Sequence, residues 1–74
     1  MNEYILRLDF VPINPRIKEA PVIKKFREMS DELAIEHAMD LVKREKIIDK
    51  SVEGATLYKK TNGNINLVSK IVVV

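Results

Sequence analysis

The chain has 74 residues, of which 46% are hydrophobic and 32% charged; it contains no Cys, no Trp and one His, and its 13 Lys and Arg against 11 Asp and Glu give a net charge of +2. A domain of this size buries only about 60% of the surface its unfolded chain exposes, and small folds commonly add disulfides, a metal or a partner subunit. Without Cys, and with His37 as the lone imidazole, the first two routes are set aside and self-association is expected.

Residues 4–11 alternate, placing Tyr4, Leu6, Leu8 and Phe10 on one side of a strand as candidate core and Ile5, Arg7, Asp9 and Val11 on the other. Pro12, Asn14 and Pro15 end it, because proline lacks the amide hydrogen that a strand ladder uses, and a loop is expected to about Pro21. The segment Val22 to Met29 reads either as a helical turn after Pro21 or as an extended run. A short edge strand is preferred, since its Lys and Arg would discourage unwanted pairing.

Ser30 is suited to N-cap a helix, and Asp31 and Glu32 follow where the helix dipole favours negative charge. At 100° per residue Ala34, Ile35, Ala38, Leu41 and Val42 form one apolar face with Met39 at its margin, so a helix is predicted over about residues 30–47. The small Ala34 and Ala38 would let it approach a sheet closely. Asp49 to Gly54 reads as a connection.

Asn62-Gly63 lies between two alternating runs, the strongest short-range signal for a two-residue hairpin turn. The implied register pairs Thr61 with Asn64, Lys60 with Ile65, Lys59 with Asn66, Tyr58 with Leu67 and Leu57 with Val68. The run Ile71 to Val74 is apolar on both sides and reads as a strand covered twice or paired across a subunit boundary. The candidate oligomer contacts are therefore Val68, Ile71, Val72 and Val74 of this strand, with Ile35 and Met39 of the helix.

The order strand, helix opening Ser30-Asp31-Glu32-Leu33-Ala34-Ile35-Glu36-His37-Ala38, then two strands resembles the layout of dodecins, oligomers in which a Ser-capped helix packs on a curled antiparallel sheet. Flavin binding does not carry over, because dodecins sandwich the flavin with a tryptophan and this chain has none. The same segment is similar to the cap and helix of HicB-type antitoxin domains, over under a fifth of the chain. No family follows from either.

Catalytic chemistry has little to work with. His37 has no evident orienting partner in sequence, beyond an ordinary hydrogen bond to Asp40, and Glu36 points away from it on a helix. Asp31 with Glu32, and Glu36 with Asp40, read as a solvated face and dipole partners. Gly54 and Gly63 are the only glycines, so no phosphate-cradling loop is present, and neither zinc nor calcium finds its ligand pattern. No catalytic residue, cofactor, metal or small-molecule ligand is expected. A basic surface remains as the second reading, with Lys24, Lys25, Arg27 and Lys59 as candidate nucleic-acid contacts, while Tyr4, Tyr58, Phe10 and Phe26 are expected to be claimed by the core.

The sequence thus predicts one α+β domain over residues 1–74, an amphipathic helix on a three- or four-stranded antiparallel sheet in the order β(β)αββ. Its expected role is that of a non-enzymatic module that self-associates as a homodimer or higher homo-oligomer, with nucleic-acid binding as the alternative. No apolar run approaches the ~20 residues of a membrane helix, no secretory signal is read at Met1, and a cytoplasmic location is expected by default.

Overall fold

The computed structural model describes residues 1–11, 21–48 and 52–72. Within them the elements are β1 (Asn2–Phe10), β2 (Val22–Glu28), α1 (Asp31–Ile48), β3 (Val52–Thr61) and β4 (Asn64–Val72). The four strands form one antiparallel sheet in the order β2-β1-β3-β4, and α1 lies across one face of it, the predicted α+β arrangement. The loop expected after Pro12 falls on residues outside those described.

Alternation along β1 decides which face is buried. Tyr4, Leu6 and Leu8 are at most 1% exposed and meet Leu57, Ala55 and Val52 of β3 and Ile71 of β4 beneath the helix. Ala34, Ala38 and Val42 of α1 close this core, with the two alanines fully buried. A methyl side chain at these positions keeps the helix axis near the sheet, whereas a longer one would hold it away. Ile35, Leu41, Phe10, Phe26 and Val68 pack around the rim of the core.

The helix begins where Ser30 was expected to cap it. The Ser30 Oγ accepts a 3.3 Å hydrogen bond from the Leu33 amide, and the Ser30 carbonyl accepts the first helical bond, 3.0 Å, from the Ala34 amide. Val22 to Glu28 is an edge strand and not a helical turn, paired with β1 from Asn2 opposite Glu28 to Leu8 opposite Val22.

Two features depart from the sequence reading. Val52, Glu53 and Gly54 belong to β3 and are not part of a connection; Val52 is a fully buried core residue opposite Phe10, beyond a register shift between Asp9 and Phe10. The hairpin follows the expected register from Thr61 with Asn64 through Tyr58 with Leu67, and then slips, so that Leu57 faces Ser69 and Val68 is the extra residue. Without that bulge Ile71 would point to the opposite face; with it, Ile71 faces Ala55 and enters the core.

Candidate functional site

The helix layer and the sheet enclose a rim of polar contacts on the β2 and β1 side. Tyr4 Oη donates a 2.6 Å hydrogen bond to Asp31 Oδ1, and Lys59 Nζ stands 3.5 Å from the same oxygen. Burial, and then the neighbouring Asp31, push the Tyr4 hydroxyl above its usual pKa. The Tyr4 bond, followed by the Lys59 charge, holds the Asp31 carboxyl below the ordinary carboxylate value. His37 Nδ1 is 2.8 Å from Glu28 Oε2, and its ring lies 4.2 Å from that of Phe26, which itself stacks on Tyr4 at 5.7 Å.

His37 therefore has an orienting partner, but a distant one in sequence: Glu28 of β2, not Asp40, which pairs with Arg44 at 3.1 Å. The strand pairing that carries Glu28 to the helix flank is what the local reading lacked. The nearby Ser30 hydroxyl accepts the Leu33 amide as part of the cap. Among the described residues no group of His, Asp and Glu is arranged to hold a metal ion.

The four candidate nucleic-acid contacts do not form one surface. Lys24 lies on the helix side of β2, paired with Glu45 at 3.0 Å, and Lys59 on the helix side of β3, beside Asp31. Lys25 and Arg27 point the other way, onto the face opposite α1. There the cross-strand partners place Arg27, Glu3, Lys60 and Ile65 in one row, and Lys25, Ile5, Tyr58 and Leu67 in the next. Ile23, Arg7, Thr56 and Lys70 make the third row.

Tyr58 is thus not a core residue, as the sequence reading had it, but lies half-buried in the middle of the open face. Arg27 and Arg7 have carboxylate partners, Glu3 at 3.3 Å and Asp9 at 3.1 Å. Lys25, Lys60 and Lys70 have none among the described residues. A depression of about 380 Å³ opens on this face between Glu3, Ile5, Lys25, Arg27 and Lys60.

The candidate oligomer contacts divide as well. Ile71 is only 8% exposed and is ruled out as an outward contact, because the bulge turns it into the core. Val74 lies outside the described residues, and of Val72 only the backbone pairing with Gly54 is described. Val68 and Ile35 are half-buried at the core rim, and Met39 is 44% exposed. His37 and Glu45 contact β2 residues, so the helical spacing turns Ile35 and Met39 to the opposite flank, the side of β4. The exposed Ile65 and Leu67 were not among the candidates, and they lie on the same strand.

Comparison with protein-family models, curated proteins and solved structures finds no match for the chain. Among the described residues, no helix is long and apolar enough to cross a membrane.

Proposed function

We propose that the protein is a small non-enzymatic interaction module that self-associates through the outer edge of β4, which pairs with no strand among the described residues. The observation that carries this reading is the difference between the two sheet edges. β2 carries Lys24, Lys25 and Arg27 within seven residues, the kind of charged edge that resists pairing. β4 is nine residues long, has no proline and a single charge, Lys70, and exposes Ile65 and Leu67 at 58% and 59%.

An antiparallel union of two β4 strands about a two-fold axis satisfies their outward amide and carbonyl groups and brings the aliphatic side chains of each copy against those of the other. Met39, Ile35 and Val68 border this edge on the helix side and extend the contact into the second layer. A cytoplasmic setting accords with a chain that has no Cys to oxidise. Sedimentation equilibrium over a wide concentration range tests the proposal: the mean mass rises from one chain toward two, and a strictly monomeric species at the highest concentration rejects it.

A further inference from the structure

The open sheet face has a chemistry of its own, lying within one copy and needing no second. Its cations Arg7, Lys25, Arg27, Lys60 and Lys70 outnumber its carboxylates Glu3 and Asp9 and the exposed Glu53 at the β3 bulge beyond them, and Glu3 and Asp9 are already engaged by arginines. Lys25, Lys60 and Lys70, on three different strands, have no ion-pair partner among the described residues and leave the face with a positive excess. They surround an apolar middle row, Ile5, Tyr58 and Leu67, in which Tyr58 is the aromatic member.

We propose that this face binds single-stranded nucleic acid, its lysines contacting phosphates and Tyr58 stacking on a base. Charge complementarity selects a polyanion and disfavours a second copy, which would set lysines against lysines. The arrangement of apolar and charged residues narrows the choice further. Ile5, Tyr58 and Leu67 run side by side across the sheet, with Lys60 and Arg27 in the row on one side and Arg7 and Lys70 in the row on the other, so an extended strand can lay its bases on the middle row while its backbone tracks a flanking one.

Duplex is disfavoured by width. Four strands spaced about 4.8 Å apart make a platform roughly 14 Å across, too broad for the ~12 Å major groove of B-form DNA. The depression between Glu3, Ile5, Lys25, Arg27 and Lys60 gives one base a recess beside the β1 strand, with Glu3 already paired to Arg27.

The test is fluorescence anisotropy with a labelled single-stranded oligothymidylate, run from about 50 to 200 mM salt. Three phosphate contacts predict an affinity that falls with a log–log salt slope of about −2, and the matched duplex binds more weakly. The Lys25→Glu/Lys60→Glu variant loses at least tenfold in affinity, as does Lys25→Ala/Lys60→Ala to a lesser degree, which serves as the reading should the first fail to fold. Tyr58→Leu weakens binding without changing the salt slope. Lys43→Glu, on the exposed back of the helix, leaves affinity within twofold.

Absence of binding at low salt overturns the proposal. So does an equal loss in Lys43→Glu, which would make the attraction a matter of net charge. Tighter binding to phosphatidylglycerol vesicles than to the oligonucleotide, abolished by Lys25→Glu/Lys60→Glu, would overturn it in favour of an acidic membrane surface.

Discussion

The Tyr4 hydroxyl and the Asp31 carboxylate, 2.6 Å apart, join the first strand to the first turn of the helix across 27 residues of sequence. Burial first and then the bond raise the Tyr4 hydroxyl, and the bond first and then the Lys59 charge lower the Asp31 carboxyl, so the folded state is favoured with Tyr4 protonated and Asp31 ionised, the forms present at neutral pH. Asp31 holds its proton less readily in the folded chain than in the unfolded one. Its contribution is complete above the unfolded carboxylate value of about 4 and is lost as pH falls through the lower folded value. Tyr4 holds its proton more readily when folded, so its contribution is complete below its ordinary value of 10.0 and is lost as pH rises through the raised one. Tyr4→Phe is expected to melt at a lower temperature near pH 7, with the gap to the parent chain narrowing below about pH 4 and above about pH 10. Thermal melts across the pH range check this, and parallel curves would show that the bond carries no pH dependence.

Ala34 and Ala38 are fully buried in the core between helix and sheet, so little space is left there for a longer side chain. Ala38→Leu should force the helix outward and destabilise by about 1–3 kcal/mol, while the exposed Asp40→Leu should change stability by no more than about 0.5 kcal/mol. Urea midpoints distinguish the two. Similar losses in both would mean that close helix approach is not what the alanines supply.

The two glycines should respond in opposite ways to the same substitution. Gly63 has φ +82° in the hairpin turn beside Asn62 at φ +50°, and an added Cβ there meets nothing within 4 Å, so the penalty of Gly63→Ala is conformational and about 1–2 kcal/mol. Gly54 is a strand residue without a positive φ, with equally open space around its Cα. Gly54→Ala is expected to stabilise by about 0.4–1 kcal/mol, chiefly by restricting the unfolded chain. Chemical denaturation of both variants is the check, and a stabilising Gly63→Ala would argue against the left-handed turn.

These responses follow the line between what was legible in the sequence and what was not. The β1 alternation, the Ser30 cap, the alanine face of the helix and the Asn62-Gly63 turn are local patterns, each set within a few residues, and each has its counterpart in the structure. The edge strand Val22–Glu28 was separable from a helical turn only by its pairing with β1. The bulge at Val68 inserts one residue into an otherwise regular alternation. Nothing local marks it, yet it turns Ile71 inward and so removes it from the candidate surface. Sorting the lysines required the sheet order as well. Adjacent positions such as Lys24 and Lys25, or Lys59 and Lys60, divide between faces by alternation alone, but which face is opposite the helix follows from where α1 lies. Pairing Lys60 with Glu3 and Tyr58 with Ile5 then gathers residues from all four strands into one surface.

The outer edge of β4 should be sensitive to charge at two positions on different layers. Leu67 is 59% exposed on the open face and Met39 is 44% exposed on the helix flank toward the same edge, so neither contributes much to the core of a single copy. In a β4-to-β4 dimer each packs sideways against aliphatic side chains of the second copy while the open face stays uncovered, and a lysine at either position would meet apolar neighbours with no carboxylate beside it. Leu67→Lys and Met39→Lys are each expected to weaken association by tenfold or more in sedimentation equilibrium, with helix content by circular dichroism unchanged. Ile23→Lys serves as the comparison, because Ile23 is 49% exposed on the far edge strand β2 and should leave the mass unaltered. If Ile23→Lys dissociates the assembly while Leu67→Lys does not, the contact lies at the β2 edge and the proposed pairing through β4 is wrong.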